Sequence, residues 1–182
     1  MSWLDPLSRP LGRSLRVGTI VVLSLALSAC LRPLYGPTAT GERLDDVLAS
    51  IDVAQMEVDT AHERFSHYLR SELVFYLNGS GLPTQKRYKL TMGYSQQVQS
   101  AIVDTASGRA QSATVVGSVP YRLTTLDGRE VVSGLAVGQV SYDRSQQRFA
   151  TVRAARDAEI RLAKLLSEQI RTRLSAALAA RA

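Results

Sequence analysis

The chain has 182 residues, 45% of them hydrophobic, and 22 Lys and Arg against 16 Asp and Glu give a net charge of +6. That is room for one ordinary domain plus a leader, with enough apolar content to exclude global disorder. A single cysteine excludes an internal disulfide and a cysteine-built zinc site, while the charge surplus favours an anionic partner without choosing one.

The first 16 residues carry Arg9, Arg13 and Arg16 against Asp5, a positive start. Val17 to Leu27 then reads VGTIVVLSLAL. This apolar run suits a signal-peptide core and falls short of the roughly 20 residues that a spanning helix needs. Leu27-Ser28-Ala29-Cys30 closes it and resembles the lipobox of bacterial lipoproteins, which is cleaved before the cysteine. The expectation is a lipoprotein signal peptide over 1–29. Cys30 then becomes the N-terminus, carrying a diacylglyceryl thioether and an acyl group such as palmitate on its amine. Two or more chains anchor a protein stably. Leu31, in place of Asp, follows the cysteine and points to outer-membrane sorting. The mature chain keeps a net charge of about +4.

Residues 30–50 hold Pro33, Gly36, Pro37 and Gly41 and read as the lipidated N-terminus and a loosely packed tether. Alternation over 51–58 predicts a strand. Thr60 with Glu63 forms a capping-box pattern, and Phe65, Leu69, Leu73, Tyr76 and Leu77 share one helical face. Asn78-Gly79-Ser80-Gly81 ends that helix. Over 86–103, Tyr88, Leu90, Met92, Tyr94, Val98 and Ile102 share a parity, which predicts one strand. Over 113–125, Val115, Val119, Tyr121 and Leu123 predict another, and Pro120 inside it suggests an edge or a bulge. Asp127-Gly128 is a hairpin signal leading into a strand over 130–142. There Gly134, Ala136 and Gly138 leave one face flat, suited to a helix or a partner. Phe149 to Leu178 is a long helix with an apolar stripe through Ala155, Leu162, Leu166, Ile170, Leu174 and Leu178. Arg153, Asp157 and Arg161, and also Lys164 and Glu168, stand at i, i+4 spacing.

The order β-α-β-β-β-α predicts an α+β fold over 51–182. It would be a two-layer sandwich, a four-stranded mixed sheet with two helices. Counting strand directions places the loops 104–112 and 143–148 at one end, with Arg109, Arg144 and Arg148. Lys86, Arg87, Arg129 and the tether lie at the other. An exposed guanidinium can meet a phosphate through two hydrogen bonds, so Arg109, Arg144 and Arg148 are the candidate anion-binding residues. Lys86, Arg87 and Arg129 are weaker ones. Catalytic chemistry is missing. His62 and His67 point to different sides of a helix, Asp104 and Asp127 are turn residues, and no phosphate loop, dinucleotide fingerprint or nucleophile elbow is present. The expectation is no enzyme, no cofactor and no metal site.

The lipobox, the stretch Leu31-Arg32-Pro33-Leu34-Tyr35-Gly36 and the element order together resemble the LPS-assembly lipoprotein LptE family. Arg87-Tyr88-Lys89-Leu90, Ser141-Tyr142-Asp143, Phe149-Ala150 and Ala154-Ala155-Arg156-Asp157-Ala158 are similar to its alphaproteobacterial branch. The resemblance implies a non-enzymatic, periplasm-facing protein of the Gram-negative outer membrane. Such a protein plugs and stabilises the LptD β-barrel and binds lipopolysaccharide during its transport to the outer leaflet. Arg109, Arg144 and Arg148 would then replace divalent cations between lipid A phosphates. The 134–138 face and a strand edge would meet the barrel wall. Another periplasmic lipoprotein, such as a lipid-carrier or transporter accessory, fits the same anchor. A nucleic-acid-binding α+β domain fits the charge but not export, so no nucleic-acid partner is expected.

Overall fold

Eight elements occupy the residues that the computed structural model describes, 41–79, 85–100 and 111–180. They are α1 (Leu44–Ala49), β1 (Ile51–Val53), α2 (Glu63–Leu77), β2 (Tyr88–Met92), β3 (Ser95–Gln99), β4 (Ser112–Thr125), β5 (Glu130–Asp143) and α3 (Arg148–Ala179). All belong to one unit, Pro37–Ala182. The signal peptide expected over 1–29 and Cys30 lie outside the described residues, as do Arg109, Ile102 and Asp104.

The fold is α+β, with a mixed sheet in one layer and the helices in the other. β4 is its central strand, with β5 antiparallel on one side and β2 and β3 antiparallel on the other. β1 runs parallel to β2 at the far edge. The expected strand over 86–103 is therefore two, yet Leu90↔Leu123 and Val98↔Val115 belong to one unbroken register. The break falls at Gly93, whose N–H donates to the Pro120 carbonyl over 2.9 Å. Proline has no N–H to return the bond, so the ladder loses one rung there. Gly93 also leaves room for the ring, since a Cβ on it would stand 3.3 Å from Pro120 Cγ. Pro120 accordingly sits in the central strand and not at an edge. The irregularity in β4 lies instead between Leu123 and Thr124.

Three further boundaries differ from the sequence reading. The stretch read as loosely packed contains α1, with Leu44, Val47, Leu48 and Ala49 buried. β1 stops at Val53, although Met56 beyond it is buried. α2 starts at Glu63 without a side-chain cap, its N-cap being His62, and the Asp59 carboxylate bonds the His62 ring instead. The β4–β5 hairpin turns as Asp127-Gly128 foretold, with Gly128 at φ 83°, a left-handed conformation that glycine adopts without strain.

Alternate residues of β4 put Val115, Val119, Tyr121 and Leu123 into the core. Phe65, Leu69, Leu73 and Leu77 of α2 meet them together with Leu162, Leu166, Ile170, Leu174 and Leu178 of α3. The flat face of β5 is where α3 comes closest. A Cβ on Gly138 would lie 2.9 Å from Leu165 Cδ2 and 3.2 Å from Leu162 Cδ1. The face expected to suit a helix or a partner thus takes the helix. No described helix covers the other sheet face. Thr114 and Ser141 pair their hydroxyls across it at 2.8 Å, as Ser95 and Ser118 do at 2.7 Å, and Leu135 and Val137 stand exposed among them. No described strand pairs the outer edge of β5, and α3 closes much of it. Arg161, Gln169 and Arg173 donate to the carbonyls of Ser141, Val137 and Leu135. Such occupation of outward carbonyls blunts an edge against stray strand pairing.

Candidate functional site

β1, β2, β3 and β5 run one way, whereas β4 and both long helices return. One end of the sheet therefore collects the β3–β4 and β5–α3 connections and the starts of α2 and α3. The other collects α1, the approach to β2, the β4–β5 turn and the helix C-termini. Candidate cations stand at both ends, in different surroundings.

At the α1 end, the Lys86 ammonium donates to the carbonyls of Ala49 (2.8 Å) and Ile51 (3.1 Å). Ala49 is the last residue of α1, where carbonyls lack partners within the helix. Arg87 grips both oxygens of Glu42 at 3.2 and 3.1 Å. That hydrogen bonding holds its guanidinium pKa above the ordinary value. Arg129 is exposed at the end of the hairpin turn, its carbonyl accepting from the Thr125 N–H. Lys86 and Arg87 thus have structural partners within the fold, and the chain enters beside them at Glu42.

At the other end, the Arg144 N–H donates to the Gln111 carbonyl over 2.7 Å. The two loops predicted to share an end are therefore bonded to each other. Arg148 is the first residue of α3 and is exposed. It forms no ion pair with any described residue. No acid lies in the first turn of α3, so Arg148 meets the positive end of the helix dipole uncompensated, a locally unfavourable choice. Arg153 lies over the Phe149 ring at 5.9 Å, which replaces the expected ladder with Asp157. Asp157 pairs only forward, to Arg161 at 2.7 Å. Glu168 approaches Tyr76 Oη at 3.4 Å and not Lys164. The sequence reading did not single out the exposed face formed by Phe149, Val152, Arg153 and Arg156. Periodicity marked the helix but not where its cover ends.

Beneath this end, Tyr94 stacks on Phe65 with ring centroids 3.9 Å apart, and His62 meets its edge at 5.3 Å. Burial raises the Tyr94 phenol pKa, and the Glu159 carboxylate adds to the rise. Its hydroxyl donates to Gln96 Oε1 at 2.7 Å. Glu159 in turn faces Arg64 across 3.7 Å. His67 lies apart, lining a groove of about 660 Å³ with Glu57, Glu63 and Arg70. Among the described residues no group of three or more His, Cys, Asp or Glu could hold a metal. The arrangement at the α3 start is suited to binding phosphate through guanidinium groups.

Comparison with known proteins agrees with the architecture. A lipoprotein candidate from Caulobacter crescentus CB15 superposes with a TM-score of 0.61 at 24% identity, covering 76% of this chain and 97% of that one. A minor lipoprotein from Acinetobacter baumannii gives 0.52 at 16% identity, over 70% and 92%. At these identities the likeness is one of fold. No curated protein matches. The family model described as LptE, lipopolysaccharide-assembly, matches residues 48–174, from the end of α1 to the last turns of α3. The chain belongs to the LptE family of non-enzymatic lipopolysaccharide-assembly lipoproteins.

Proposed function

We propose that this protein is anchored through acylated Cys30 in the outer membrane, facing the periplasm. There it plugs and stabilises an LptD-like β-barrel and binds lipopolysaccharide on its way to the outer leaflet. The observation that carries the reading is the exposed Arg148 beside Arg144, at the sheet end opposite the chain's entry at Glu42. Arg109 precedes Gln111 by two residues in the chain and joins them in the proposal. Guanidinium groups on the lipid A phosphates would compete with bridging divalent cations and loosen the lipid's own packing. Lys86 and Arg87, engaged within the fold, are left with a supporting role.

The uncovered sheet face is the proposed contact with the barrel lumen. It carries hydroxyl and amide side chains with Pro120, Leu135 and Val137 among them, and a large barrel's interior is polar in the same way. The even-numbered positions Gly134, Ala136 and Gly138 are excluded from that contact, because they point to the other face, where Tyr121 lies against Gly134, Ala136 is buried and α3 packs on Gly138.

The test is depletion in the native cell combined with a crosslinked pull-down. Folded barrel and surface lipopolysaccharide should both fall, and the barrel should be the crosslinked partner. Unchanged levels of both, or recovery of an inner-membrane transporter, would replace this reading with that of an accessory lipoprotein.

A further inference from the structure

α2 and α3 run side by side in the same direction, but α3 begins much earlier. Arg64, near the start of α2, faces Glu159 of α3 at 3.7 Å. The residues of α3 before Glu159 therefore extend beyond α2 by about 15 Å at 1.5 Å per residue. At 100° per residue, Arg148, Val152, Arg156, Phe149 and Arg153 fall within one arc of roughly 140°. Further along the helix the same arc carries Ala163, Ser167, Ile170 and Leu174. All four are buried where α2 lies alongside. The arc is thus apolar and covered below, and apolar, basic and bare above. Phe149 is 76% exposed and Val152 58%. The opposite side of the same turns, Ala150, Thr151, Ala154 and Ala155, is half-buried toward the rest of the domain.

Bare large apolar groups interleaved with three exposed guanidinium groups do not describe a simple solvated face. Solvation alone would not favour Phe and Val there, and a protein-binding apolar face would be expected to carry fewer cations. No acid shares the upper arc. Glu159, at its lower border, is held by Arg64. Helices with this composition bind acyl-chain and phosphate boundaries, the apolar side chains entering the hydrocarbon and the cations meeting phosphates. Arg148, one of the proposed phosphate contacts, stands at the tip of this surface, so that contact and the apolar face are continuous.

We infer that the outer face of the first three turns of α3 (Arg148, Phe149, Val152, Arg153 and Arg156) binds the acylated, phosphorylated end of the lipopolysaccharide. Phe149 and Val152 take the acyl chains, and the three arginines take the phosphates. The inference rests on the proposed function and adds to it an acyl-chain contact.

The experiment uses the full mature protein in detergent and measures binding to purified lipid A. Its comparison probes are the deacylated, phosphorylated sugar and phosphatidylglycerol micelles. Wild type should prefer lipid A to both by at least about tenfold. The double variant Phe149→Ser/Val152→Ser should lose at least fivefold for lipid A and nothing for the deacylated sugar. Arg153→Gln/Arg156→Gln should weaken both phosphorylated sugar probes. Unaltered lipid A affinity in the Phe149/Val152 variant, with wild type binding normally, places the site elsewhere and leaves the proposed function standing. Equal binding to phosphatidylglycerol turns the face into a general membrane contact and overturns the inference. Failure of wild type to bind lipid A or whole lipopolysaccharide overturns both readings. These side chains lie outside the core, so thermal unfolding of each variant should match wild type.

Discussion

The two ends of the sheet carry the same kinds of basic residue and use them differently. At the α1 end, Lys86 donates to two backbone carbonyls and Arg87 to a carboxylate. At the α3 end, Arg148 has no ion-pair partner among the described residues, and Arg153 has only the face of Phe149. A cation with acceptors inside the fold contributes to stability. A cation left exposed beside bare apolar groups is available to a ligand. Counting Lys and Arg along the chain does not distinguish the two, since it does not show which of them find acceptors within the fold.

The contrast can be broken from the middle outward. Leu162 is fully buried and packs against both Gly117 and Gly138. Leu162→Ala should cost about 2–5 kcal/mol by removing packed atoms and leaving a cavity, seen as a lower midpoint in urea unfolding. Both ends should fail together. Lys86→Ala should lower stability by about 1.5 kcal/mol, through carbonyls left without their charged donor, yet leave lipopolysaccharide affinity of the folded protein unchanged. A loss of affinity without a loss of stability would reverse the roles assigned to the two ends.

Arg148→Glu should do the opposite. Affinity should fall about fivefold, on the order of 1 kcal/mol, while stability rises by a few tenths of a kcal/mol, because an acid now meets the helix N-terminus. Calorimetric binding and thermal unfolding of one sample check both signs. The smallest effect concerns Tyr94. Its folded pKa is raised above the usual value near 10, so the stability gained by the neutral phenol is fully present below about pH 10. It is lost as pH climbs from there toward the folded pKa. Tyr94→Phe should therefore unfold with a shallower loss of stability above pH 10 than wild type. Parallel pH profiles would show that the buried phenol does not contribute to this dependence.

The long helices with their apolar faces and the hairpin turn were legible in the sequence because each is set by local chemistry, whereas the short helix α1 and the division of 86–103 into β2 and β3 were not. Phe65, Leu69, Leu73 and Leu77 recur at helical spacing and are all buried. Asp127-Gly128 makes its turn wherever the flanking strands pair. Directions along the chain also placed the loops of Gln111 and Arg144 at one end, and a backbone hydrogen bond joins them. What the sequence alone misplaced depends on neighbours far along the chain. Pro120 looked like an edge residue, because a missing N–H is a local fact while the Gly93 opposite it is a tertiary one. Whether the flat face around Gly138 takes a helix or a partner was left open, because sequence does not say how closely α3 approaches.

By itself, then, the sequence determined that the domain is α+β, that one helix is long and amphipathic, and that its cations cluster near particular loops. Only the tertiary structure decided which of those cations are free. A guanidinium's availability depends on acceptors brought within about 3 Å by folding, such as Glu42 for Arg87, 45 residues away. The bare apolar arc is decided in the same way. The pattern of residues along α3 is continuous, but α2 covers it only from about Glu159 onward. The difference in start between two neighbouring helices is what exposes Phe149 and Val152.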